Sequence, residues 1–174
     1  MRKRAVLVVV AAIAIAASAV PAHAEIIDRI MAVVNGQALT LSDVNAASML
    51  QLLTPETNRP DATSAVLDRL IERTLIIGEV DRYQPPEPAP EEIDRRYNIV
   101  VQRVGGESNL QRIFADTGMS ADQLRRWVRD DLRMETYFNQ RFGTTDPSRA
   151  KMIADWISGL RRRADVTVLY VAPS

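Results

Sequence analysis

A mainly helical domain closed by a small antiparallel sheet is the fold this sequence predicts, and three observations carry the prediction. A hairpin signature, IMAVVNGQALT, stands at residues 30–40; stretches with apolar residues every three to four positions fill the middle of the chain; and a β-rich run, VTVLYV, occupies residues 166–171. A two-stranded hairpin is marginal alone and a lone terminal strand needs a partner. The hairpin and the C-terminal strand are therefore expected to share one sheet, packed inside a compact domain of about six helices over residues 25–174.

The elements follow in order. Ile30, Met31, Val33 and Val34 are a β-branched-rich run, Asn35-Gly36 supplies two positions that tolerate positive φ, and residues 38–41 are again mostly apolar, so residues 30–41 read as a β-hairpin. Ser42 is the expected cap of a helix over residues 43–53, with Asp43 at its positive end and Pro55 as its terminator. A second helix, over residues 62–83, carries Val66, Leu67, Leu70, Ile71, Leu75, Ile76 and Val80, the wide stripe of a helix covered on more than one side. Gly78 inside it points to a close helix contact. QPPEPAP, residues 84–90, can be neither helix interior nor inner strand and reads as a stiff connector whose Pro90 opens a third helix.

In that third helix Ile93, Tyr97, Val100, Val101 and Val104 form one face before Gly105-Gly106 stops it. Ser108 is the expected cap of a short helix with Leu110, Ile113 and Phe114 buried and Gly118 at its end. Ser120 and Gln123 form a capping box that opens a long helix with Leu124, Trp127, Val128, Leu132, Met134, Phe138 and Phe142 on its face. GTTDPS, residues 143–148, breaks it, and a last helix over residues 147–164 presents Met152, Ile153, Trp156, Ile157 and Leu160, with Arg161, Arg162 and Arg163 at its negative end.

Residues 1–24 belong to another category. Arg2, Lys3 and Arg4 make a basic start, residues 5–17 an apolar core, and Ala22-His23-Ala24 a small-x-small site, which together read as a secretory signal cut between Ala24 and Glu25. The apolar core falls short of the ~20 residues that span a bilayer, so no stable membrane insertion is expected after cleavage, an uncleaved anchor being the alternative.

Composition then narrows the function. With 47% hydrophobic and 25% charged residues the chain is globular rather than disordered. The leader takes 3 of the 22 basic groups and none of the 22 acidic ones, leaving a formal charge of −3 with arginines scattered among carboxylates, which gives nucleic acid no footprint. There is no cysteine, and the single histidine, His23, lies in the leader. Disulfides, thiol catalysis, histidine-based triads and His/Cys metal sites are thereby excluded from the exported chain, and no catalytic, metal-binding or cofactor-binding residue is assigned. Glu91, Glu92, Asp130, Asp131 and Asp155 read as helix-start and solvated-face charges rather than acid–base pairs.

DRIMAVVNGQALTLSD at residues 28–43, LDRLIERTLIIGEVDRYQ at 67–84, MSADQLRRWVRDDLRMETYFNQRF at 119–142 and WISGLRRRADVTVLY at 156–170 together resemble, in order and spacing, the amino-terminal module of the SurA family of periplasmic chaperones. The resemblance covers nearly all of the chain after the leader and implies a periplasmic protein. The family commonly inserts parvulin-type prolyl isomerase domains between the long helix and the closing helix; here that gap holds residues 143–148 only, and an isomerase domain is about a hundred residues. The function implied is ATP-independent holding of unfolded outer-membrane or secreted polypeptides, in an apolar crevice between helices or on an exposed sheet edge. Prolyl isomerisation and a structural role in an envelope assembly are the alternatives. The expected client-binding residues are the apolar cluster Met49, Leu50, Leu52 and Leu53, the adaptable Met119, and the aromatic cluster Tyr137, Phe138 and Phe142, although aromatics at helical spacing are more often core.

Overall fold

A computed structural model describes residues 28–54 and 61–172; the expected leader, its Ala24–Glu25 cleavage site and the Pro-bounded stretch 55–60 lie outside those residues. The hairpin forms as expected from β1 (Ile30–Val34) and β2 (Gln37–Thr40), joined through Asn35 and Gly36 at φ 49° and 84°, the two left-handed positions of a type I′ turn. The C-terminal strand β3 (Val166–Val168) pairs antiparallel with the other side of β1, so the sheet order is β2-β1-β3. Ala32 lies opposite Val168, Val33 opposite Thr167 and Val34 opposite Val166. Asn35 fastens the two chain ends: its N–H donates to the Asp165 carbonyl at 2.7 Å, and its Oδ1 accepts from the Asp165 N–H at 3.0 Å. The strand is shorter than the apolar run 166–171, because the Leu169 and Tyr170 amides both turn onto one carbonyl, that of Met31, at 2.9 and 3.1 Å. One acceptor shared by two successive donors ends the ladder.

Six helices accompany the sheet among the described residues: α1 (Leu41–Met49), α2 (Ala62–Tyr83), α3 (Pro90–Arg103), α4 (Glu107–Thr117), α5 (Ala121–Phe142) and α6 (Arg149–Arg163). Four local expectations need correction. The cap of α1 is Thr40, not Ser42: Asp43 N–H donates to Thr40 Oγ1 at 3.3 Å and Thr40 N–H to Asp43 Oδ2 at 2.8 Å, closing a capping box, while the Ser42 amide donates to Asp28 at 3.2 Å. That helix also stops at Met49, several residues before Pro55, because Gln51 adopts left-handed geometry at φ 51°. Ser108 sits inside α4, whose cap position is Gly106 at φ 101° with no side-chain bond. Gly78 makes no close helix contact; it is exposed, and nothing lies within 4 Å of where a Cβ would stand.

Burial divides the interior into two clusters. The sheet core unites Met31, Ala32, Val34 and Leu39 of the sheet with Val44 and Ala47 of α1, the stripe Val66, Leu67, Leu70, Ile71, Leu75, Ile76 and Val80 of α2, Tyr137 of α5 and Leu160 of α6. The second core, formed by helices alone, gathers Tyr97, Val100, Val104, Leu110, Ile113, Phe114, Leu124, Val128 and Leu132 around one residue from farther away, Leu50. Helix α5 serves both, its N-terminal half in the second core and its C-terminal half in the sheet core.

Candidate functional site

Six of the eight residues expected to bind a client belong to or pack against one of the two cores, Met49 and Phe142 being the exceptions. Leu50 is fully buried at the end of α1 and Leu52 and Met119 pack against the same second core, half-exposed; Leu53 packs instead on the sheet core, and Met49 points outward. The depression beside them, about 580 Å³, is lined by Ser48, Gln51, Leu52, Leu53, Thr54 and Arg103, and the Arg103 guanidinium crosses to the Gln51 carbonyl at 2.9 Å. Its walls are mostly polar, which suits water better than an apolar segment.

The aromatic cluster is a joint between helices. Tyr137 is 3% exposed, with its ring 5.2 Å from Tyr83 of α2 and 5.6 Å from Trp156 of α6. Phe138 and Phe142 lie 5.9 and 5.8 Å from the same indole, in edge-on arrangements. The Arg141 guanidinium caps the group 5.6 Å from the Phe142 and Trp156 rings. These contacts tie α2, α5 and α6 together, and Tyr137, like Leu50 in the other core, is an interior residue that offers no surface in this fold, contrary to the exposure expected of a client contact.

Paired charges line the α2–α5 seam. Arg73 of α2 donates to Asp131 Oδ1 at 2.9 Å and to the Trp127 carbonyl at 3.0 Å, and its guanidinium stacks 3.8 Å from the centre of the Trp127 indole. Burial pushes the Asp131 carboxyl up, and Arg73 opposes part of that shift. Arg133 is buried and reaches Asp81 at 2.8 Å and Asp130 and Glu87 at 3.5 Å. Glu87, in the Pro-rich connector, also takes both arms of Arg129 at 2.6 Å, which holds its carboxyl below the usual value. Asp155 pairs with Lys151 at 2.5 Å. Each of these carboxylates is paired with a cation, and the pairs that link α2, the connector and α5 orient those segments against one another.

Exposed apolar surface gathers elsewhere. Val168, Leu169 and Val171 are 49%, 49% and 79% exposed and belong to β3 or the tail that leaves it, while Ile30, 46% exposed, opens the central strand β1. Backbone groups accompany them. Because Asn35 pairs with Asp165 and Leu169 donates to Met31, the odd-numbered residues of β3 face β1, and alternation turns the N–H and C=O of Val166 and Val168 away from it. Among the described residues no strand lies beyond β3. Residue by residue this edge was absent from the sequence-derived site; its available signal was the run VTVLYVA, residues 166–172, which contains neither a charge nor a proline.

Among the described residues no helix is long and apolar enough to cross a membrane, and no cluster of three or more His, Asp or Glu side chains could hold a metal ion. No protein-family model matches the chain, and comparison with curated proteins finds no match.

Proposed function

We propose that this protein is an exported, nucleotide-independent holdase of the SurA type that binds unfolded polypeptide as an added strand on the outer edge of β3. The observation that carries the reading is the coincidence of outward-turned backbone groups on β3 with exposed Val168 at its end and exposed Leu169 and Val171 in the tail that follows. Main-chain hydrogen bonds to such an edge accept any sequence that can extend, and flanking apolar side chains favour the β-rich segments of unfolded envelope proteins. A three-residue strand gives few bonds, which suits a protein that must release what it holds. The short α5–α6 connection, between Phe142 and Arg149, supports a role that needs no inserted catalytic domain.

The test is light scattering from a urea-unfolded β-barrel protein diluted into buffer with and without the purified protein, in the absence of nucleotide. Scattering should fall at near-stoichiometric ratios, and Val168→Pro, which deletes an outward N–H while leaving the β1 ladder intact, should weaken the protection. Unchanged scattering across several unrelated clients would sink the proposal.

A further inference from the structure

The outer edge of β3 also has the geometry to pair with itself. We infer that two copies of the chain join through β3, antiparallel across a two-fold axis, turning two three-stranded sheets into one of six strands. Natural sheet edges are guarded against such pairing by lysines, prolines or bulges, and residues 166–172 contain no charged side chain and no proline. An isologous contact requires a self-complementary surface. An uncharged β-branched strand with exposed Val168, followed by exposed Leu169, meets that requirement without placing like charges opposite one another.

The hydrogen bonds already made select the register. Outward-facing amides belong to Val166 and Val168; the Ala164 N–H is committed to the Leu160 carbonyl and the Tyr170 N–H to that of Met31. An axis at Val166 or Val168 would need one of those committed groups, and an axis between residues would set an outward group against an inward one. Only an axis through Thr167 uses all the free groups. It pairs Val166 with the partner's Val168 in both directions and puts Thr167 against the partner's Thr167 in a non-hydrogen-bonded pair, where Cα atoms stand roughly 4.5 Å apart. Asp165 then faces the partner's Leu169, an apolar neighbour. The edge is the one assigned above to extended polypeptide, so dimer and client would exclude each other; that clause alone rests on the proposed function.

Sedimentation equilibrium of the purified protein over a wide concentration range tests the seam, with the chain's freedom from cysteine supplying a second reading. The mass should rise from one chain toward two with concentration, and Val168→Pro, with an unchanged helical circular dichroism spectrum, should stay at one. Thr167→Cys should form a disulfide-linked dimer on mild oxidation, since the expected Cα separation lies within disulfide range, whereas Val171→Cys, far from the axis, should not. A single-chain mass at every concentration overturns the inference, as does a dimer that survives Val168→Pro and leaves Thr167→Cys unlinked. Dimerisation without protection from aggregation would overturn the holdase reading alone, leaving the seam in place.

Discussion

The two cores are built from different kinds of neighbour. The helical core draws nine of its ten buried residues from the stretch between Tyr97 and Leu132, with Leu50 the only outsider. The sheet core needs Met31 from one end of the chain, Leu160 from the other and the whole apolar stripe of α2 between them. Local contacts cost little loop-closure entropy and distant ones cost more. One protein thus holds a unit that adjacent helices assemble and a unit that both ends of the described chain complete, with α5 and the α1 segment through Leu50 as shared members.

The largest expected effects probe whether these are separate units. Ile71→Ala in the sheet core and Leu124→Ala in the helical core both remove fully buried side chains and should each cost about 2–5 kcal/mol in urea denaturation. If the cores share only the frames of α1 and α5, the double variant should equal the sum of the singles to within about 0.5 kcal/mol. A larger coupling energy would merge them into one.

Thr167→Pro strikes the sheet core alone, by deleting an amide that faces β1, and should cost about 1–3 kcal/mol. Hydrogen exchange at Val33 and Val34 should speed up while Val100 and Ile113 keep their protection; equal loss in both places would show that the ends brace the helical core as well. Ser120→Ala removes the capping box at the helical-core end of α5 and should cost about 1 kcal/mol, with fraying confined to that end.

The smallest expected effect is a change in pH profile. The folded-state pKa of Asp131 is raised above its usual 3.8, so protonation of that group favours the folded protein and offsets acid destabilisation as pH falls through the raised value. Glu87 has the opposite sign: its pKa is lowered below 4.5, and its contribution, fully present above 4.5, disappears as pH falls through the lowered value. Asp131→Asn should therefore steepen the loss of stability in acid and Glu87→Gln should make it shallower, as read from melting temperatures between neutral pH and pH 3. The same slope change in both variants would contradict the assigned directions.

Much of this was legible in the sequence because local chemistry decides it. Ser120 and Gln123 close the box that the spacing announces, and α2 spans Ala62–Tyr83 as its stripe predicts. The misreadings occur where a distant part of the chain decides. Thr40 and Ser42 are both hydroxyls near Asp43, and the one that caps is chosen by where β2 ends, which pairing with β1 determines. Leu50 was expected within a helix running to residue 53, in an apolar cluster open to a client, but the left-handed turn at Gln51 ends α1 and Leu50 lies in the second core. An exposed sheet edge was among the expected places for a client, but its residues stayed unassigned for a related reason: an apolar run declares itself a strand, and whether anything covers it depends on the assembled sheet.

The meeting of Asn35 with Asp165, 130 residues apart, also orders events in time. At a synthesis rate of roughly 5–20 residues per second, β1 precedes β3 by roughly 7–26 s. For that interval the hairpin stands without its third strand, whereas every member of the helical core has been made by Leu132. Chains arrested at residue 150 should therefore protect α3 and α4 amides while leaving β1 exchanging freely, and early protection of β1 would reverse the sequence. The polypeptide stays unfinished until its last strand arrives, and the residues that complete it are the ones left facing outward.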